Sequence, residues 1–476
     1  MIETTNLRRT FHRASYYPGN PVLNADRPWE FIDGVGRAMP FSDGVFFDPQ
    51  DGLFKIWYVG VNATLYATSR DGVHWEKPNL DIRPGTNIVH IGKRDSSTVW
   101  LDLEEKEPRR RYKFLYSGGH LKPLTLHLSA DGIHWGDPVA QSIPSGDRST
   151  FFFNPFRNVW VFSLRDHDWV PRQKPEIPDY VGRLRRYWES PDIVAGMRWR
   201  NDDPALWVRA DRLDPRRVDL NAQPQLYNLD AVAYESLMLG LFTIWRGQPP
   251  DSEKPNEITV GFSRDGFHWT RPDRRPFIPV SGNHGDWNFA NVQSAGGVCL
   301  VVGDRLYFYV SGRAGTPGIR ASGATSTGLA TLRRDGFVSM DSDGDGGRLT
   351  TRAVRFQGKR LFVNVSSAAG ELRVEVLDAA GRVLAPYTLD NCLPVQSDNT
   401  LQQIRWRGVE DLSTLANRPV KFRFHLRHAG LYAFWVSPDS SGASLGYVAA
   451  GGPGIPGNRD TNGSQAYRVC CKGSTW

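Results

Sequence analysis

Short alternating runs of aromatic and β-branched residues, bounded by Gly, Pro, Asn or Asp, fill most of the chain and predict strands. They recur in sets of three. Gly44-Val45-Phe46-Phe47, Phe54-Lys55-Ile56-Trp57-Tyr58 and Thr64-Leu65-Tyr66-Ala67-Thr68 lead into the turn Ser69-Arg70-Asp71-Gly72-Val73-His74-Trp75. The turn returns as Ser129 to Trp135 and Ser263 to Trp269, and more loosely at Ser190-Pro191-Asp192 and Arg334-Asp335-Gly336-Phe337. Asp-Gly after an alternating strand is a hairpin signal, because Gly tolerates φ > 0 and Asp bonds the turn backbone. Aspartates 71, 131, 192, 265 and 335 lie roughly 60 to 70 residues apart, room for one small antiparallel sheet per repeat. With a fourth strand after each Trp, the pattern predicts an all-β chain: a five-bladed β-propeller over 1–340. Each turn should join the third and fourth strands of its blade, with its Trp buried between sheets.

The pattern changes after Asp341. Strands such as Leu361–Val365, Leu372–Leu377, Val420–Phe424 and Leu431–Trp435 continue without the repeated turn, and predict a C-terminal antiparallel β-sandwich over 341–437. Residues 438–476 are rich in Gly, Ser and Pro and read as a tail that wraps a surface or stays mobile.

Composition narrows the function classes. The 476 residues are 40% hydrophobic, and no apolar run approaches the length of a membrane span. Met1 to Arg13 lacks the apolar stretch of a secretory signal. Cys299, Cys392, Cys470 and Cys471 have no metal-ligand spacing. The net charge is +7, with arginine far ahead of lysine but dispersed, so neither nucleic acid nor membrane is the expected partner. Arg forks bind carboxylate, sulfate and phosphate, which fits an acidic partner as well as a GC-rich genome. The oligomeric state is not encoded in any visible pattern.

In a propeller the starts of the innermost strands converge on one funnel. Those starts carry Asp43, Asp95 with Ser96 and Ser97, Asp147 with Arg148, Asp230 with the later Glu235, and Asn291 with Gln293. Three carboxylates from different blades suit glycoside cleavage: one protonates the leaving oxygen, one attacks or activates water, one offsets developing positive charge. Asp43, Asp147 and Glu235 are the expected catalytic set, with Asp230 the competitor of Glu235. Glu235 lies in apolar sequence, where desolvation raises a general acid's pKa, whereas Asp48 before Pro49 reads as structural. Arg148, Arg165 and Arg185 are candidates for sugar hydroxyls or an acidic group, and His284, Trp287 and Asn291 form a polar-aromatic loop. Trp287 could stack on a sugar or pack between blades. His74, His134 and His268 recur in a turn and read as structural, so no metal site and no cofactor is expected; a structural Ca ion is not indicated.

Asp43 with Phe47-Asp48-Pro49, the Asp147 run, Tyr234-Glu235 and the Ser-x-Asp-Gly-x-x-Trp turns together resemble the five-bladed propeller glycoside hydrolases, the superfamily of families 32 and 43. The resemblance implies Asp, Asp and Glu in that chain order, an appended sandwich, a carbohydrate substrate and a secreted or periplasmic location. Asp43 lacks the Asn-Asp-Pro-Asn setting and Glu235 the Glu-Cys-Pro setting of fructosidases, so that specificity is not implied. The residues leave retention and inversion open. A non-catalytic carbohydrate-binding propeller is the alternative, and a sialidase-like enzyme, which needs a Tyr nucleophile and an arginine triad, is the third reading.

Overall fold

The computed structural model describes residues 3–167 and 182–470, and its regular structure is almost entirely β. Three antiparallel four-stranded sheets follow one another in chain order. Sheet I holds Val45–Asp48, Leu53–Gly60, Ala63–Ser69 and Ile88–Ile91; sheet II holds Thr98–Leu101, Tyr112–Ser117, Lys122–Ser129 and Ala140–Ser145. Sheet III holds Thr150–Asn154, Val159–His167, Arg183–Ser190 and Ala205–Arg209. A longer path follows. Its first half, IV, is Gln225–Glu235, Leu237–Trp245 and Asn256–Ser263. Its second half, V, is Asn291–Ser294, Leu300–Val302, Arg305–Arg313, Thr325–Arg333 and the N-terminal Ser15–Tyr16. The halves meet at one parallel pair, Asn256 with Asn291. The first strand of V is broken between Ser294 and Leu300, within the run Gly297 to Leu300 that reads as a strand in the sequence, because Gly297 (φ +78°) and Val298 (φ +56°) turn the backbone. A Cβ at Gly297 would stand 2.2 Å from the Val45 carbonyl oxygen, so sheet I presses directly on that break.

The repeated turns fasten neighbouring sheets. Asp71 Oδ1 accepts the backbone N–H groups of Val73 and His74, and its Oδ2 meets His74 Nδ1 at 2.7 Å. Asp131 and Asp265 repeat this arrangement, so each recurring histidine is bonded in its own turn, and His134 also meets Asp81 at 3.0 Å. The turns at Asp71 and Asp131 join the third strand of their sheet to the fourth, as Thr68 pairing with Glu76 shows for sheet I. The turn at Asp335 departs from the expectation: the strand beside Thr325–Arg333 is Ser15–Tyr16, and the chain leaves the turn into Val338–Ser342 of another sheet. A polar group from another sheet then reaches each turn. Tyr309 donates to Gly72 O at 2.6 Å, Trp57 to Gly132 O at 2.7 Å, Asn154 to Asp265 O at 2.8 Å and Tyr234 to Asp335 at 2.5 Å. Arg110 lies 3.6 Å from Asp192. The turn tryptophans are half-buried rather than enclosed: Trp135 packs 5.1 Å from Phe114, and Trp75 packs 5.6 Å from Tyr309 of sheet V.

Gly132 shows how tight these junctions are. Its φ is +78°, and a Cβ there would sit 2.6 Å from the Trp57 ring. Gly132→Ala is expected to destabilise the protein by about 1–3 kcal/mol from backbone strain alone, read as a lower denaturation midpoint.

Beyond the repeats, two further sheets pack face to face. One runs Glu3–Thr5, Gly347–Thr350, Val420–Arg427, Glu371–Asp378; the other runs Arg8–Phe11, Val338–Ser342, Ala429–Ser437, Arg360–Ser366, Asp398–Gln403. Val374, Phe422 and Phe424 of the first share a core with Leu361, Val363 and Leu431 of the second. The sequence assigns everything before residue 340 to the repeats; Glu3–Thr5 and Arg8–Phe11 pair here instead. Alternation in so short a stretch marks a strand but not its distant partner.

The segment after Ser437 is built onto the repeats. Tyr447–Val448 pairs with Tyr234–Glu235, Phe47 N–H donates to Ala450 O, and Val301 N–H donates to Gly451 O. It straps the ends of the first strands of I, IV and V. Among the described residues it closes with a short helix, Ser464–Cys470.

Candidate functional site

The starts of the first strands meet at the ends of those strands opposite the strap. Val99 N–H donates to Asp43 O at 2.6 Å, Val45 N–H to Gly296 O at 3.1 Å and Thr150 Oγ1 to Leu229 O at 3.1 Å. These bonds put Asp43, Ser97 to Val99, Arg148 to Thr150, Asn228 to Asp230 and Ser294 at one level.

Two carboxylates lie fully buried among these residues. Asp43 is 0% exposed, and Arg94 Nη2 donates to both its oxygens, at 2.8 and 2.9 Å. Burial pushes Asp43 up to about 6, against the pull of Arg94 and Arg148. Asp230 is 3% exposed and, among the described residues, accepts only from neutral donors: Asn228 at 2.6 Å, Ser294 at 2.6 Å and Ser42 at 3.5 Å. All three bond Oδ2, which leaves Oδ1 to carry a proton. Burial raises this pKa too, only partly offset by Ser294, Arg148 and Arg185. Ser42, the neighbour of Asp43, also accepts from Asn228 at 2.9 Å, so a single amide links the surroundings of both acids. Asp147 stands higher, half-buried and in contact with Arg165.

A basic cluster lies near the acids, with Arg148 acting on both. Arg148 lies 4.1 Å over the Phe41 ring and 5.5 Å from the Tyr227 ring centre. Arg183, Lys254 and Arg165 surround the same Tyr227 ring at 5.3, 5.4 and 5.8 Å, and Arg313 lies 5.4 Å from Phe41. Burial would raise the Tyr227 phenol, yet Lys254, Arg313, Arg148 and Arg165 bring it down to about 8. Arg185, 0% exposed, is different: it donates to the carbonyls of Arg148, Tyr227 and Ser163 and to Asn228, tying sheet III to IV.

Glu235 is not in this group. It ends the strand Gln225–Glu235, five residues beyond Asp230, which is about 17 Å away along an extended chain. There it faces a cavity of about 540 Å³ lined by Phe156, Arg334, Asp335, Trp435, Ser444 and Tyr447, under the C-terminal strap. Its φ is +50°, and burial with Asp335 nearby raises its carboxyl to about 7, against Arg334. His284, Trp287 and Asn291 also make other contacts. His284 stacks on Phe289 at 4.0 Å, and Asn291 is buried, donating to Lys254 O and accepting from Gln293. The Trp287 ring covers Gly312 and Gly328 and meets Tyr16 edge-on at 5.5 Å, which is packing within sheet V.

Tyr227, Arg94, Arg183, Lys254 and Arg313 join the site without having been singled out in the sequence. Tyr227 stands three positions before Asp230, the one local signal that pointed to it.

No protein-family model matches the sequence, and no curated protein matches it. Among solved structures the chain is similar to an N-acetylgalactosamine deacetylase from F. plautii in complex with blood group B trisaccharide, at 15% identity and TM-score 0.44, over 69% of this chain and 96% of that one. It is also similar to a β-1,2-mannobiose phosphorylase from Listeria innocua, at 13% identity and TM-score 0.43, over 67% of this chain and 96% of that one. A glycosyl hydrolase from Bacteroides ovatus stands alongside at 13% identity and TM-score 0.43, over 68% of this chain and 94% of that one.

Proposed function

We propose that sheets I to V are the five blades of a β-propeller, followed by a β-sandwich, and that the axial ring of first-strand starts cleaves a glycosidic bond. The five fasteners support the count: they run from V to I, I to II, II to III, III to IV and IV to V, one for each junction of a closed ring.

The observation that carries the function is the pair Asp43 and Asp230, two buried carboxylates from different sheets with opposed surroundings. Asp43, beside the Arg94 guanidinium, is the group held ionised, and it serves as base or nucleophile. Asp230, bonded only by neutral donors, keeps its proton for the leaving oxygen. Asp147, at the rim with Arg165, is the third carboxylate, offsetting positive charge on the sugar ring. Glu235 takes no part in this step.

The test is a panel of aryl glycosides and oligosaccharides incubated with wild type and Asp43→Asn. Cleavage by the wild type that vanishes in the variant supports the reading, whereas binding without cleavage of any substrate makes the protein a carbohydrate-binding propeller. A pH profile adds a second check. Asp43 must be ionised to act, and its pKa is raised, so activity should rise as the pH climbs through about 6. An acid limb near pH 4, where an ordinary carboxylate titrates, would remove Asp43 from the role.

A tyrosine nucleophile is a second reading, favoured by the phenol of Tyr227 lying among cations that stabilise its anion. It requires Tyr227→Phe to abolish turnover while Asp43→Asn retains it.

A further inference from the structure

Arg148 is 1% exposed, and among the described residues its Nε, Nη1 and Nη2 have no hydrogen-bond partner. Phe41 and Tyr227 hold the guanidinium by their ring faces but offer it no acceptor in that plane. A buried guanidinium loses its hydration, and rings return only part of what water gave. Arg185 beside it spends its charge on carbonyl groups, which shows that this neighbourhood has acceptors to give and gives none to Arg148. Arg313 is under-used as well: among the described residues its Nε has no partner, and one bond runs from Nη1 to Ser322 at 2.7 Å. Lys254 stands 3.9 Å from Glu253, too far for a tight pair. Among the described residues, guanidinium and ammonium groups with unfilled donors therefore gather at one spot, where Arg148 acts on both Asp43 and Asp230.

We propose that Arg148, Arg313, Lys254 and Tyr227 form a subsite for an oxyanion, supplied either as free phosphate or as a carboxylate or sulfate on the sugar substrate. The inference rests on the reading of this axial end as the substrate site. The planar fork of Arg148 matches two oxygens of such a group at once. The flanking Arg165 and Arg183 add to the field that draws it in.

The experiment measures binding by calorimetry and thermal shift on the full chain, with inorganic phosphate, methyl glucuronide and neutral methyl glucoside as probes. At least one of the two anions should bind the wild type, raise its Tm, and lose at least tenfold in affinity in Arg148→Gln; methyl glucoside should not distinguish the two proteins. If Arg148→Gln does not fold, Arg313→Gln should show a loss of the same sign. The anions separate the two sources. Binding of phosphate with formation of a sugar 1-phosphate from a neutral glycoside assigns the subsite to the acceptor: a phosphate oxygen bonds the anomeric carbon, the glycosidic C–O bond breaks, and the leaving oxygen takes the proton of Asp230. Binding of the glucuronide without phosphate assigns it to the substrate. Equal anion affinity in wild type and both variants, or no anion binding at all, overturns the proposal, and Asp230-dependent cleavage of neutral glycosides would then stand by itself. Conversely, Arg148-dependent anion binding with no glycoside ever cleaved keeps the subsite and removes the glycosidase reading.

Discussion

Asp230→Asn is expected to lower kcat about 10²–10⁴-fold on substrates with sugar or alkyl leaving groups, the range that positioned proton donors contribute. The asparagine preserves the bonds at Oδ2 but cannot deliver a proton from the other side. Aryl glycosides with acidic phenols need that proton little, so the loss on them should be far smaller. Glu235→Gln should leave both substrate types unaffected, because it lies at the opposite end of its strand beneath the strap. The paired kcat values on a nitrophenyl glycoside and on an oligosaccharide decide the matter. A leaving-group dependence in Glu235→Gln, with none in Asp230→Asn, would move the active site to the far cavity.

Asp48→Asn should cause the largest loss of stability, about 3–5 kcal/mol, as expected when one partner of a buried ion pair is removed. Asp48 is 1% exposed and sits between Lys55 at 2.7 Å, Arg111 at 2.6 and 2.8 Å, and the Tyr112 hydroxyl. The substitution leaves Arg111 buried without its counter-ion, although Lys55 retains Asp51 at 2.7 Å. Burial acts to raise the Asp48 pKa, but the bonds from Arg111, Lys55 and Tyr112 outweigh it and hold the carboxyl well below its ordinary value. Its stabilising effect is therefore complete above the unfolded-state value, about 4, and fades as the pH falls below that. Urea titrations at neutral pH and at pH 3 should show wild type and Asp48→Asn converging in acid. Parallel curves would mean that the ion network contributes little.

Strands were legible because aromatic and β-branched residues alternate cleanly along them, and Asp48 was legible as structural from the Pro that follows it. The turn repeat was legible as a repeat, but not as a fastener, since Tyr309, Trp57 and Asn154 lie in other sheets and far away in sequence. Glu235 was grouped with Asp43 because the apolar sequence around it promises the desolvation a general acid needs, which outweighed its place at the far end of the run Ala231 to Tyr234. The strand is 11 residues long, and Asp230 sits in its middle, where Asp is usually disfavoured. Ser42, Asn228 and Ser294 make it tolerable there, and two of them come from other sheets. The basic cluster was only half visible: Arg148, Arg165 and Arg185 share one sheet, while Lys254 and Arg313 arrive through tertiary contact. A one-dimensional reading finds the acids of a site more readily than the cations that crowd it.

The interleaving of the two ends of the chain also bears on what a protease could achieve. Asn20 bonds Leu329, 309 positions later, and Arg8–Phe11 is sewn into a sheet whose other strands end at Ser437. Cutting the Gly- and Asp-rich connection at 343–346 would not liberate a separate domain, because the N-terminal strands remain stitched to one side and the strap at 447–451 to the other. A nicked molecule should migrate as one particle under native conditions and fall into two fragments only in denaturant.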